Sequence, residues 1–294
     1  MQNNDEARPS WEEGVAFHFI EVIVLWEGRL TRAHLQKAFS IGRDKASRLL
    51  ARYQRQAPGN IVLCSQQKGY LPSEAFKGQF SQGDVNEYLR LVRDRFESNP
   101  MMGLLPGSNL AIEQVKLPSR QVSAEILQGL IQAIRDKQRT DVVYRSMNNP
   151  KGTGRIIAPH SLVFAEGRWH VRAYCEEKKR FLDFVIQRFV EITDHLGPIL
   201  DGTGLEDDVE WDQFVTLKLK PNPALSKAQR QLIADDYKLS VKDTLSVKVR
   251  APLVKYLANS LRIISLEAAI HSPQAHQLVL HNYDEVQSHL ISSG

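Results

Sequence analysis

Arginine, lysine, histidine and hydroxyl side chains gather in two short stretches of this 294-residue sequence, and both combinations suit the binding of anions. In FSIGRDKASRLLARY, the polar residues Arg43, Asp44, Lys45, Ser47, Arg48 and Arg52 alternate with apolar ones at helical spacing. An arginine early in such a helix grips the O6 and N7 edge of a guanine with two parallel donors, a contact worth about 1–3 kcal/mol of discrimination. Later cations reach phosphates, which fix register but carry no sequence information. The spacing therefore assigns Arg43, Asp44 and Ser47 to bases, and Lys45, Arg48 and Arg52 to the DNA backbone. The plainer alternative is a solvated basic helix face.

The second stretch is RWHVRAYCEEKKRFLDFVIQRFVEI. Strand alternation sends Trp169, Val171 and Ala173 to one face and Arg168, His170, Arg172 and Tyr174 to the other. Arg180 and Arg188 follow on the next strand, and Tyr144, Ser146, Arg155 and His160 lie upstream at strand ends or turns. Forked guanidinium donors with directional hydroxyls fit phosphate or nucleic acid. Surface ion pairs with Glu176, Glu177 and Asp183 are the competing reading, and spacing alone leaves both open.

Other chemistries lack their residues. The sequence has no His-Glu-x-x-His or Cys/His metal spacing, no P-loop and no convincing nucleophile, so no metal, cofactor or enzymatic activity is expected. Asp207-Asp208 is a carboxylate pair, but it falls in an acidic stretch that reads as a solvated linker. Cys64 and Cys175 are far apart in sequence and read as reduced thiols.

The composition, 42% hydrophobic and 24% charged, is that of a globular protein with more than one core. The net charge of +4 matters less than its distribution. Asp44 is the only acid from Arg29 to Arg55, whereas Asp201 to Asp212 contains acids and no base. The polar start MQNNDEARPS lacks a signal-peptide pattern, and no apolar run is long enough for a membrane span, so a cytoplasmic protein is expected.

The elements that must position these residues follow from periodicity and breakers. A helix is predicted from Trp11 to Trp26, ended by Gly28, and a second, capped by Thr31, runs through Phe39. After the Ser40–Gly42 turn, a third runs from Arg43 to Gln56, burying Ala46, Leu49, Leu50 and Tyr53, until Pro58-Gly59-Asn60 breaks it. Strands at Ile61–Ser65 and Gly69–Leu71 then enclose the tip Gln66-Gln67-Lys68, a wing that would lay Gln67 and Lys68 on the DNA backbone or in the minor groove. Helices at Val85–Phe96 and Ser123–Lys137 flank a breaker-rich connector containing Asn99-Pro100, Gly103, Pro106-Gly107 and Pro118.

Strands at Asp141–Met147, Arg155–His160, Ser161–Ala165, Trp169–Cys175 and Phe181–Ile192 suggest a small barrel-like sheet. Strands at Phe214–Leu219 and Thr244–Val249, helices at Lys227–Asp236 and Pro252–Leu261, and strands near Ile263–Ala269 and Gln277–Leu280 complete an α+β unit. The expected fold is thus a multidomain α+β chain: a winged helix-turn-helix over residues 1–80, a helical connector over 81–138, a β-rich ligand-sensing domain over 139–200 and a C-terminal domain over 210–294.

The β block resembles the WYL domain, named for a Trp-Tyr-Leu strand motif. Trp169-His170-Val171 stands in that place, with His for Tyr and Val for Leu. FLDFVIQRFVEI is similar to the family's closing strand, with Arg188 in the position of its arginine, and Tyr144-Arg145-Ser146 and Ala158-Pro159-His160 look like further family stretches. RWHVRAY resembles one subgroup, the BrxR/CapW-like regulators associated with bacterial phage-defence operons.

The resemblance covers nearly the whole chain, including a C-terminal extension called WCX. It implies an Sm-like β-barrel, a homodimer on an inverted-repeat operator in double-stranded DNA, and a nucleotide or nucleic-acid ligand sensed by the WYL domain. Carried over by position, Ser146, His160, His170, Arg172 and Arg188 are the sensing residues, and Tyr144 and Arg168 complete the candidate ligand set. The function expected is a transcriptional repressor whose DNA affinity depends on ligand occupancy. The alternative is an RNA- or single-strand-binding adaptor using the barrel.

Overall fold

Apolar residues at helical spacing build the first elements: α1 (Trp11–Glu27), α2 (Arg32–Phe39), α3 (Arg43–Gln56), the hairpin β1 (Ile61–Cys64) and β2 (Gly69–Pro72), and α4 (Val85–Ser98). The computed structural model describes residues 8–98, 113, 115, 118, 120–239 and 244–290. It divides into two units, residues 1–116 and 117–294. Most of the breaker-rich connector lies outside the described residues.

In the first unit, Ser10 and Glu13 form a reciprocal capping box on α1, and Gly28 ends the helix at φ 70°, where a side chain would be strained. Phe17, Ile20, Ile23, Leu30, Leu35, Leu50 and Tyr53 form the core, and α4 adds Tyr88, Leu91 and Val92. Leu49, expected inside, is only partly buried. The hairpin is tied to the segment between α1 and α2, because Leu30 and Tyr70 exchange backbone hydrogen bonds of 2.8 and 2.7 Å. Gly69 permits this approach: a Cβ there would lie 2.8 Å from both the Leu30 carbonyl oxygen and the Arg29 Cγ.

One polar group in this core was not anticipated. The Glu21 carboxylate is fully buried and accepts from the backbone N–H groups of Gln79, Phe80 and Ser81 and from the Tyr53 hydroxyl, at 2.8–3.1 Å. Tyr53 also accepts from Asn60, whose side chain bonds both the N–H and the C=O of Lys77. This network fastens the chain after the wing to α1 and α3. Burial, opposed by Asn60 but reinforced by Glu21, pushes the Tyr53 phenol far above its ordinary pKa.

The second unit starts with α5 (Ala124–Arg135) and an antiparallel sheet of β3 (Gln138–Tyr144), β4 (Thr153–Ala165), β5 (Arg168–Cys175), β6 (Arg180–Val185) and β7 (Phe189–Pro198). The strand order is β6-β5-β4-β3-β7. Ile126 and Leu130 of α5 pack on Val142, Ile157, Val171 and Phe184. The continuous strand expected at Phe181–Ile192 is interrupted by a 3-10 turn at Ile186–Arg188, so β6 and β7 occupy opposite edges of the sheet. Joining both edges through one turn makes the sheet curl. The expected barrel is nevertheless not closed, because β6 and β7 do not pair. The two strands expected at Arg155–His160 and Ser161–Ala165 are one strand, with an irregularity between Pro159 and Ser161.

After α6 (Val209–Asp212), the chain forms β8 (Phe214–Pro221), α7 (Lys227–Asp236), β9 (Leu245–Arg250), α8 (Val254–Ser260), α9 (Leu266–Ala269), β10 (Leu278–Leu280) and α10 (Tyr283–Leu290). These strands form a sheet in the order β10-β8-β9, whose inner residues Val215, Leu217 and Leu219 meet Ile233, Val254, Ala258 and Val286. The strand expected near Ile263–Ala269 is instead the short helix α9, because the Ser265 hydroxyl caps it by accepting from Ala268 N–H at 3.4 Å. Helix α10 was not anticipated.

Replacing Glu21 with Ala leaves the amides of residues 79–81 and the Tyr53 hydroxyl without their acceptor. We expect a loss of about 3–5 kcal/mol of stability in urea unfolding, against under 1 kcal/mol for the exposed Glu12→Ala.

Candidate nucleic-acid interface and anion pocket

The α2–α3 turn is set by Ser40 in the left-handed region and by the Ile41 N–H donating to the Gln36 carbonyl at 3.1 Å. Gly42 then begins α3 with extended backbone, and the burial of Ala46, Leu50 and Tyr53 fixes the rotation of the helix. That rotation leaves Arg43, Asp44, Lys45 and Arg48 exposed and Ser47 half-buried. Arg43, Lys45 and Arg48 make no ion pair among the described residues. Arg52 differs: its side chain is only 14% exposed and pairs with Glu13 at 3.5 Å, tying α3 to α1. At the wing, Gln67 and Lys68 are exposed, and the Gln67 carbonyl accepts from Arg29 at 2.9 Å. Arg43, Arg32 and Lys68 line one shallow cavity of about 370 Å³ between the helices and the hairpin, so helix and wing present their cations together.

The second unit holds a larger cavity of about 970 Å³ between the β3–β7 sheet and the C-terminal elements. Of the sensing residues predicted from sequence, Tyr144, Ser146, Arg172 and Arg188 line it, and Arg168, His160 and His170 do not. Tyr144 packs edge-on against Phe184 and Phe189, and its hydroxyl accepts from Val185 N–H at 3.1 Å. The Ser146 hydroxyl accepts from the Asn149 N–H at 3.0 Å. Arg188 has no side-chain partner among the described residues. Arg155 also lines the cavity; its side chain is 11% exposed, and among the described residues its Nε is buried without a partner and its only ion pair is a 3.5 Å contact with Glu177. Lys255 and His289 reach the cavity from the C-terminal elements.

The polar face of β5 is largely covered by other parts of the chain. His170 is buried against the Tyr256 ring at 5.0 Å, and burial, then Arg168, lowers its pKa, which keeps it neutral. Arg168 pairs with Glu166 at 3.6 Å. Arg172 is buried, and its guanidinium is taken up by acids: Asp208 at 2.7 and 3.0 Å in a bidentate pair, Glu210 at 3.0 Å and Asp183 at 3.3 Å. His160 bonds Asp208 at 3.2 Å and stacks edge-on to Trp211. Asp183 also receives the Tyr256 hydroxyl at 3.0 Å and Lys255 at 3.1 Å.

The acidic stretch read as a solvated linker is therefore part of the structure. Asp208 is 1% exposed and also caps α6 by accepting from Trp211 N–H at 3.2 Å. No charge pattern in the sequence marks Asp208 as different from its exposed neighbour Asp207, since only the fold brings it to Arg172. Both cysteines are free. Among the described residues no group of His, Cys, Asp and Glu could hold a metal, and no helix is long and apolar enough to cross a membrane.

A winged helix followed by a curled sheet with a polar cavity and a small α+β domain defines a multidomain transcriptional regulator. Family profiles match in the same order: the BrxR transcriptional regulator winged helix-turn-helix domain over residues 12–94, the WYL domain over 125–194, and the BrxR transcriptional regulator C-terminal dimerization domain over 214–286. The chain is 31% identical to the DNA-binding transcriptional repressor CapW of Pseudomonas aeruginosa over 94% of its length and 91% of that protein. It is 30% identical to CapW of Stenotrophomonas maltophilia over 98% of its length and 95% of that protein. It belongs to the BrxR/CapW family of DNA-binding transcriptional repressors. Among solved structures, proteasome accessory factor B/C of Arthrobacter aurescens aligns with 98% of this chain and 49% of that chain at 15% identity, with a TM-score of 0.26.

Asp208 carries a pH prediction. Burial works to raise its pKa, but the donors on His160 and Arg172 outweigh this and hold it at about 2, below the ordinary 3.8. A depressed carboxylate contributes stability that is complete above about pH 4 and lost as pH falls toward 2. We expect thermal unfolding of residues 117–294 to show about 2 kcal/mol of acid destabilisation in that window. The step should be absent in Asp208→Asn.

Proposed function

We propose that the protein is a homodimeric repressor that acts in the cytoplasm on an inverted-repeat operator, that the operon it controls is a phage-defence operon, and that an anionic nucleotide or nucleic acid in the WYL-domain cavity relieves repression. The observation that carries the DNA-reading half is the set of unpaired, exposed cations at the start of α3 beside the wing. Arg43, Asp44 and Ser47 face base edges in the major groove, Lys45 and Arg48 face phosphates, and Gln67 and Lys68 of the wing flank them. Arg52 supports α3 through Glu13 rather than reaching out. The C-terminal residues 214–286, matching a dimerization domain and corresponding to the WCX extension, would pair two copies so that two recognition helices meet the two half-sites.

The effector half is supported by the cavity, where Arg188 and Arg155 lack full partners and Tyr144, Tyr174 and Phe181 supply aromatic surface. The curled sheet fits an open version of the Sm-like barrel. The cavity's volume of about 970 Å³ suits a nucleotide-sized ligand or a short single strand. The Arg172 guanidinium, which also lines the cavity, is paired with Asp208, Glu210 and Asp183.

Two measurements check this. In gel shifts with operators selected from random duplex DNA, Arg43→Ala should lose about 1–3 kcal/mol of discrimination at one base position. Lys45→Ala or Arg48→Ala should weaken all sequences alike and reduce the salt slope by about 1. Unchanged slope and specificity in all three would remove α3 from the DNA. Separately, Arg188→Ala should weaken calorimetric binding of 5′-phosphorylated tetrathymidylate by about tenfold or more, the loss of one charge-assisted contact. Equal binding by the variant, with circular dichroism unchanged, would move the effector out of this cavity.

A further inference from the structure

Residues 205–212 run across the cavity at Arg172 and reach the C-terminal sheet. At the cavity end, Arg172 has five N–H donors, and four hydrogen bonds already draw on them. The two residues that supply three of those bonds differ in accessibility: the Asp208 side chain is 1% exposed and that of Glu210 is 65%. At the other end, Arg250 donates to the Trp211 carbonyl, lies 5.0 Å from the Trp211 ring and 4.9 Å from the Phe214 ring, and pairs with Asp212 at 3.7 Å. The Ala251 N–H closes the contact on the Gln213 carbonyl at 2.9 Å. One short segment thus joins the buried arginine of the sheet to β8 and β9 of the C-terminal unit.

We propose that residues 205–212 are a built-in acidic competitor: Glu210 and Asp208 fill the anion position at Arg172, and a phosphate group entering the cavity displaces Glu210 and loosens the hold of the segment on β9. This rests on the reading of the cavity as the effector pocket. The occupant it selects carries at least one phosphate. A dianionic phosphate with three acceptor oxygens can replace an exposed carboxylate on Arg172 and still offer acceptors to the cavity that Arg188 and Arg155 also line. Asp208, buried and held by His160 as well, stays in place to balance the arginine. Occupancy of the cavity is in this way felt by the elements that match the dimerization domain.

The test uses the full-length protein with two probes, pyrophosphate and 5′-phosphorylated tetrathymidylate, against chloride at the same ionic strength. Binding is read by calorimetry, and opening of the contact with β9 by hydrogen–deuterium exchange at the Ala251 amide, which bonds the Gln213 carbonyl. Glu210→Gln keeps the length and a carbonyl acceptor but removes the charge, and because Glu210 is exposed it leaves no buried ion unpaired. The variant is expected to bind the probes about three- to tenfold tighter than the wild type. Its Ala251 amide should exchange faster without probe, and saturating probe should produce the same speeding in the wild type. Tighter binding of both probes identifies the phosphate itself as the competing group, and tighter binding of the oligonucleotide alone identifies a nucleic-acid phosphate. Equal affinities for wild type and variant, or unchanged exchange in the wild type with the probe bound, overturns the competitor while leaving the pocket intact. Absence of binding by either protein overturns the pocket reading and the competitor with it.

Discussion

The burial of the Arg172 guanidinium constrains the second half of this protein more than any other contact. Removing a charge from water costs several kcal/mol, and the cost is offset only when opposite charges and hydrogen bonds surround it with good geometry. Asp208 supplies two bonds, and Asp183 and Glu210 supply the others, from two different parts of the chain, β6 and residues 205–212. Asp183 then engages Lys255 and Tyr256 of α8. The joint between the curled sheet and the C-terminal elements therefore has an electrostatic centre. Burial, then the nearby Asp183, drives the Tyr256 phenol well above its ordinary pKa, so it stays a donor to that carboxylate. A joint of this kind is held by paired charges and hydrogen bonds as well as by apolar contact.

The first unit solves the opposite problem. Its cations Arg43, Lys45 and Arg48 are exposed and make no ion pair among the described residues, which costs nothing until an anionic surface approaches. What must be rigid is the scaffold behind them. Glu21 provides it by accepting from three successive backbone amides beyond the wing and from Tyr53 of α3. The Leu30–Tyr70 backbone pair holds the hairpin against the helices, with Gly69 allowing the approach. The two buried anions, Glu21 and Asp208, thus organise their units in similar ways: each fastens a segment without regular periodicity onto packed elements.

The helices of the first unit and the wing were legible because their signals are local. Helical spacing placed α1, α2 and α3, Gly28 and Pro58 ended two of them, and a polar tip between apolar runs marked the hairpin. Tyr144, Ser146, Arg172 and Arg188 were named together from strand pattern and resemblance, and in the fold they line one cavity. His160, His170 and Arg168 carried the same residue types but lie outside its lining. Alternation says which side of a strand a residue occupies. It does not say what covers that side, and here α8 and residues 205–212 cover it.

Composition and periodicity by themselves outlined the architecture: a basic helix with a wing, a β-rich block and a separate α+β end. Each of those readings rests on neighbours within a few positions, where backbone geometry and burial act directly on the local pattern. Tertiary structure alone decided which charges are free and which are spent. Asp208 meets Arg172 across 36 positions and Glu21 meets Ser81 across 60, and Arg52 turns inward to Glu13 while Arg48 stays in water. Ionic pairing depends on distance in space and on local dielectric, and neither is written in the order of residues.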